Sequence, residues 1–239
     1  MSAYPDDTHL QLGAILFPDL DQADFTGPFE VLSRLPNSTF HILGEQDGPV
    51  KDNQGLVLVP QETLSQAPAL DVLIVPGGTG VNRAMESEPI LAFLRGQAAR
   101  ARFVMSVCTG ALLCGAAGLL QGRRATTHWA SHHMLQYFGA TPVEARVVVD
   151  GSFLSTAGVT AGFDGALRLA ALLRGEQVAR RIQLHIQYAP EPPFDSGNPA
   201  TASAEIVEPS RQAMAPMLEQ RLAIVKRVAE RLGINPVNQ

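Results

Sequence analysis

Phe103-Val104-Met105-Ser106-Val107-Cys108-Thr109-Gly110-Ala111 begins as a continuous apolar run and ends in small residues that lead into the leucine-rich stretch Ala111 to Leu120. A short apolar run without alternation suits a strand buried on both faces, as in a parallel sheet covered by helices. The small residues after it read as a sharp turn into a helix. Val72-Leu73-Ile74-Val75 repeats the pattern, and Leu12 to Phe17 reads similarly. Between these runs lie helical patterns. Phe25 to Leu35 carries Phe25, Phe29, Leu32 and Leu35 at near-helical spacing, with Pro28 placed in its first turn. Pro89 to Ala101 follows Ser87-Glu88, with Pro89 as a first helical residue. Ala161 to Arg174 and Gly175 to Tyr188 read as two more helices, split by Gly175. Val147-Val148-Val149 and Ser152-Phe153-Leu154 read as a hairpin turning at Asp150-Gly151. Strands alternating with helices predict an α/β fold: a three-layer sandwich around a mostly parallel sheet.

We expect one domain over residues 1–239: a core at 8–189, a Pro-rich segment at 190–209, and a C-terminal helix at 210–233. Met214, Met217, Leu218, Leu222, Val225, Val228 and Leu232 form an apolar stripe on that helix, which must be buried on the body or on a partner. A chain of 239 residues buries roughly 70% of its unfolded surface, so it needs no disulfide or metal staple. Its net charge of −5 lacks the basic excess of a nucleic-acid binder. The 18 basic residues include two lysines, Lys51 and Lys226, and neither stands in a P-loop or invites Schiff-base chemistry. Two cysteines make no disulfide framework, no stretch reads as a signal peptide, and no apolar run spans a membrane. A cytoplasmic location is expected, with no membrane or nucleic-acid partner.

Cys108 is the leading candidate for chemistry. A residue on a tight strand-to-helix turn is lifted out of the sheet and faces the positive end of the helix, which favours thiolate over thiol. That is a nucleophile elbow with Cys in place of Ser. The plain alternative is a buried small hydrophobe. Cys114 lies about 9 Å and roughly 240° further along the helix, so it reads as core. Val75-Pro76-Gly77-Gly78-Thr79-Gly80 is a second turn at the same edge. There the Gly77 and Gly78 amides can approach a bound group, unless this is ordinary architecture. Asp24, in Asp24-Phe25-Thr26-Gly27-Pro28, is either a helix N-cap or a carboxylate lying over the same edge to handle a proton. Glu30 faces another side of that helix, and Asp21 belongs to the preceding loop. Thr126-Thr127-His128-Trp129-Ala130-Ser131-His132-His133 spaces two histidines as a helical metal site does. Trp129 stands where a metalloprotease has Glu, so His128, His132 and His133 are read as packing groups with no metal. Thr156 to Asp164 is a further turn into a helix.

Taken together, these motifs resemble the ThiJ/PfpI superfamily, and within it the isonitrile hydratases, over nearly the whole chain. The resemblance rests on the Asp24, Gly77 and Cys108 segments, on Gly118 to Trp129, on Thr160-Ala161-Gly162 and on Tyr188-Ala189-Pro190-Glu191-Pro192-Pro193-Phe194. The Cys-Thr-Gly and Thr-Thr-His-Trp pieces are also similar to sensor domains of AraC-type regulators. The resemblance implies a flavodoxin-like or class I glutamine amidotransferase-like fold, a homodimer and no cofactor. It also implies Cys108 as nucleophile, Asp24 as proton-handling carboxylate, and backbone donors at Gly78 and Thr109. Thr109 replaces the His of the superfamily's proteases, which argues against a peptidase. The implied reaction is hydration of an isonitrile to an N-substituted formamide through a Cys108 thioimidate. Glyoxalase III or deglycase-like action on methylglyoxal is the alternative enzyme, and a cysteine redox or ligand sensor is the alternative outside catalysis.

Overall fold

The computed structural model describes residues 7–234. Seven strands form one sheet: β1 (Leu10–Leu16), β2 (Ser38–Gly44), β3 (Glu62–Thr63), β4 (Val72–Val75), β5 (Phe103–Ser106), β6 (Val147–Asp150) and β7 (Phe153–Thr156). Their order is β6-β7-β5-β4-β1-β2-β3. Only the β6–β7 hairpin is antiparallel; the other neighbours run parallel. Every residue of β4, β5 and β7 is buried, which is why β4 and most of β5 read as apolar without alternation, while β7 also buries Ser155 and Thr156.

The helices are α1 (Gln22–Leu32), α2 (Val81–Ala84), α3 (Glu88–Ala98), α4 (Gly110–Ala116), α5 (Ala161–Arg174), α6 (Glu176–His185) and α7 (Ala204–Arg231), with a 3-10 helix at Trp129–Phe138. On one face of the sheet α1 packs on α5 and α5 on α6; on the other, α3, α4, the 3-10 helix and α7 pack together. The fold is therefore the expected flavodoxin-like α/β sandwich. Among the described residues no helix is long and apolar enough to cross a membrane.

Several local expectations shift, each for a stated reason. The first helix starts at Gln22 rather than Phe25, because Asp21 caps it by accepting from the Ala23 amide at 3.0 Å. Pro28 then lies inside the helix, and its missing N–H leaves the carbonyl of Asp24 without its helical donor. The helix after the elbow ends at Ala116, not Leu120. Gly118 adopts φ +81° there and lets the Leu119 amide reach back to the Cys114 carbonyl at 3.0 Å. Asp150 pairs with Phe153, so the hairpin turns at Gly151-Ser152, one residue later than expected. The last helix begins at Ala204, taking six residues from the Pro-rich segment and enclosing Pro209 and Pro216. His128 is the N-cap of the 3-10 helix, and His132 and His133 lie on its three-residue turns, so His128 and His132 are not one α-helical turn apart.

Candidate active site

The loops after β1, β4, β5 and β7 meet at one edge of the sheet, where an open α/β sheet offers its ligand crevice. Backbone bonds zip the first two together: the Asp21 amide donates to the Gly77 carbonyl, and the Gly80 amide to the Asp19 carbonyl, each at 2.9 Å. Gly78 takes φ +122°, and a Cβ there would lie 2.4 Å from the Asp21 nitrogen, so the approach excludes any side chain. This contact draws the first turn of α1 under the Gly77 peptide. The Gly77 amide then donates to Asp24 Oδ2 at 2.9 Å.

Cys108 is a non-glycine residue at φ +53°, the strained backbone of a nucleophile elbow. Hydrogen bonds hold it there. Its amide donates to the Ala157 carbonyl at 3.0 Å, and its carbonyl accepts from Thr127 Oγ1 at 2.6 Å. Thr109 ties the elbow to the glycine loop: its hydroxyl accepts from the Gly78 amide at 3.0 Å and lies 3.2 Å from the Gly78 carbonyl, to which it can donate. A Cβ on Gly77 would fall 2.6 Å from the Thr109 nitrogen and 2.8 Å from Asp24 Oδ2, so Gly77 brings the elbow and the acid together.

Asp24 is fully buried, and burial, helped by the charge of Asp21, pushes its pKa up to about 8. The Gly77 amide and the Cys108 thiol pull the other way. Its second oxygen, Oδ1, is buried without a hydrogen-bond partner. Cys108 keeps 6% of its surface exposed. Burial and the nearby Asp24 raise its pKa well above the usual thiol value, while the Thr109 amide and the Arg221 guanidinium oppose the rise. Desolvation thus outweighs the end of a seven-residue helix, so the pKa of the Cys108 thiol is shifted up rather than down. The Gly77 amide donates to Asp24 and the Gly78 amide to Thr109, while the Thr109 amide faces the sulfur.

Asp24, Gly77, Gly78, Cys108 and Thr109 are thus brought together. Cys114 is buried on α4, and burial alone raises its pKa. His128 is half-buried, caps the 3-10 helix through Nδ1, and has its pKa lowered by burial and by Arg221. His132 has a buried Nε2 without a partner, and His133 is exposed. Among the described residues no cluster of three His, Cys, Asp or Glu is arranged to hold a metal.

Arg221, Asn82 and Ser131 were missed. From α7, buried Arg221 donates through Nε to Asn82 Oδ1 at 2.8 Å, through Nη1 to Ser131 Oγ at 3.0 Å and through Nη2 to the Gly78 carbonyl at 3.2 Å. The signal was present in the sequence. Arg221 falls on the apolar stripe, three residues after Leu218 and four before Val225, where a charge needs a reason.

The chain is 50% identical to an isonitrile hydratase from Pseudomonas putida, over 94% of this chain and 99% of that protein. It is 31% identical to the HTH-type transcriptional regulator GbdR of Pseudomonas aeruginosa, over 60% of this chain but 39% of that protein. In structure it resembles a ThiJ/PfpI family protein from Pseudomonas syringae, with TM-score 0.90 and 37% identity over 94% of both chains. The sequence profile of the DJ-1/PfpI family matches residues 14–172, from the first strand through most of α5, and the chain belongs to that family.

Proposed function

We propose that this chain is an enzyme, a hydro-lyase that hydrates isonitriles, R–N≡C, to N-substituted formamides, with Cys108 as nucleophile and Asp24 as general acid and base. The similarity to the Pseudomonas putida hydratase supports the substrate class. One observation carries the chemistry: a buried, protonated carboxyl beside a buried thiol, with Oδ1 free of other bonds. An isonitrile carbon must gain a proton and a sulfur at the same atom. Asp24 gives its proton to that carbon, Cys108 Sγ bonds to it, and the thiol proton passes to the Asp24 carboxylate. The product is a thioimidate, R–N=CH–S–Cys108, with Asp24 again in its acid form. Water then adds to the thioimidate carbon, nitrogen takes up a proton through Asp24, and the C–S bond breaks. The formamide leaves and the thiol is restored, so one water is consumed. Sulfur replaces water as the first attacking group, which divides one hard step into two easier ones. No metal or cofactor is called for. The reading includes a homodimer, which light scattering on the eluting protein tests.

The deciding assay follows loss of the isonitrile infrared stretch for cyclohexyl isonitrile and the appearance of its formamide, beside an arm with methylglyoxal and no glutathione. Formamide production supports the reading. Lactate from methylglyoxal with an unchanged isonitrile band overturns it.

A further inference from the structure

Arg221 is 2% exposed, and among the described residues no carboxylate lies within ion-pair distance of its guanidinium. A buried charge without a counter-ion is costly. A chain that needed only to dock α7 would do better with an aliphatic side chain. Its neighbours on the same helix do that work: Ile224, Val225, Val228 and Ala229 are buried. Arg221 instead meets three neutral acceptors, one of them the carbonyl of Gly78. That carbonyl is also in reach of the Thr109 hydroxyl, next to the nucleophile. The charge is therefore aimed at the place where the reaction moves a proton off sulfur and an anion must form.

We propose that Arg221 is a positioning residue of the site: its three-bond fork fixes the Gly78 peptide against the elbow, and its charge supports Cys108 while the sulfur carries negative charge. The inference deepens the proposed hydration and rests on it for the turnover measurement, but not for the labelling measurement below. The charge of Arg221 acts on Cys108 at the elbow and on His128 at the cap of the 3-10 helix, while Asp24 and Asp21, from α1 and its cap, act on Cys108 in the opposite sense. Arg83 on α2 and Arg227 on α7 are engaged elsewhere, in ion pairs with Asp19 and Glu86. Arg221 is thus the permanent cation of the set. The electrostatics agree: burial lowers its pKa to about 10, and it acts to lower the pKa of Cys108.

The test measures the rate of Cys108 alkylation by iodoacetamide against pH on the full chain, alongside isonitrile turnover. Arg221→Met is expected to move the alkylation profile up by about one pH unit, which is roughly tenfold slower labelling at a fixed pH on its rising limb. Arg221→Lys keeps the charge but not the planar fork. It is expected to hold the alkylation profile near wild type while kcat falls roughly tenfold. Arg227→Met, which removes a cation of the same helix that is paired with Glu86, is the control, expected to leave the alkylation profile unmoved. A folded Arg221→Met variant with a wild-type profile overturns the charge role. So does an Arg221→Lys profile displaced upward by a full unit, an outcome that stays decisive where the Met variant fails to fold. Wild-type kcat in Arg221→Lys overturns the fork. Should the chain show no isonitrile turnover at all, the hydration reading fails, while the labelling arms still decide the charge role.

Discussion

Two cysteines stand six residues apart, Cys108 on the turn before α4 and Cys114 within that helix, both buried and both with pKa values raised by burial. Around Cys114 nothing else acts. Its neighbours are Ala111, Leu112, Leu113, Gly115 and Ala116, and desolvation alone holds it as a thiol. Around Cys108 the same desolvation is joined by a carboxyl, an opposing cation, a backbone amide and a strained φ. Burial raises the pKa of a thiol in both places, but in the proposed mechanism only the elbow has groups to take its proton and support the charge left behind. Reactivity here depends on neighbours rather than on exposure or on a low resting pKa.

The strongest way to break the contrast is to exchange the outcomes of the two alanine variants. Cys108→Ala is expected to lose at least about 10³-fold in isonitrile turnover, the scale on which removing a nucleophile acts. Cys114→Ala should stay within about twofold, at a cost of about 1 kcal/mol in stability read from denaturant unfolding. Intact-mass spectra sharpen the point, since a substrate adduct is expected on the Cys114→Ala protein and not on Cys108→Ala. Next in size is Asp24→Asn, expected to lower turnover about 10²-fold. The wild-type rate should fall above about pH 8 as Asp24 loses its proton, and the variant should lack that limb. Stability gives an independent reading. Between about pH 4 and about pH 8 the unfolded chain releases this proton and the folded chain keeps it, so wild-type stability falls as pH rises. The fall is up to about 5 kcal/mol, and it disappears in Asp24→Asn. A thermal-melt series across that range checks it. The smallest effect is that of Thr109→Val, which removes the hydroxyl holding both polar groups of Gly78. It should cost about tenfold in turnover with little change in the melting temperature.

The buried strands were legible because β4 and β5 are covered on both faces and so carry unbroken apolar runs. Cys108 and the glycine loop were legible because each sits where such a run ends. Asp24 was ambiguous for a physical reason. A helix start offers the same local pattern to a capping residue and to a buried acid, and only the Asp21 cap separates the two. The upward shift of the Cys108 pKa was not legible, since a helix end can be inferred from local order but desolvation depends on what packs over it. Arg221 was missed because its partners lie 139, 90 and 143 positions away, although the break in its apolar stripe was visible. The start of α7 was placed late because Pro209 was taken as punctuation, and the helix accommodates it.

The bond from Arg221 to the Gly78 carbonyl joins residues 143 positions apart, the later one in the last helix of the described chain. On a ribosome, which delivers residues in order, the strands and the elbow emerge long before their cation does. Until α7 arrives, a nascent chain lacks the fork that holds the Gly78 peptide. Completion of the elbow's surroundings thereby waits on completion of the polypeptide, a dependence that comes from connectivity alone.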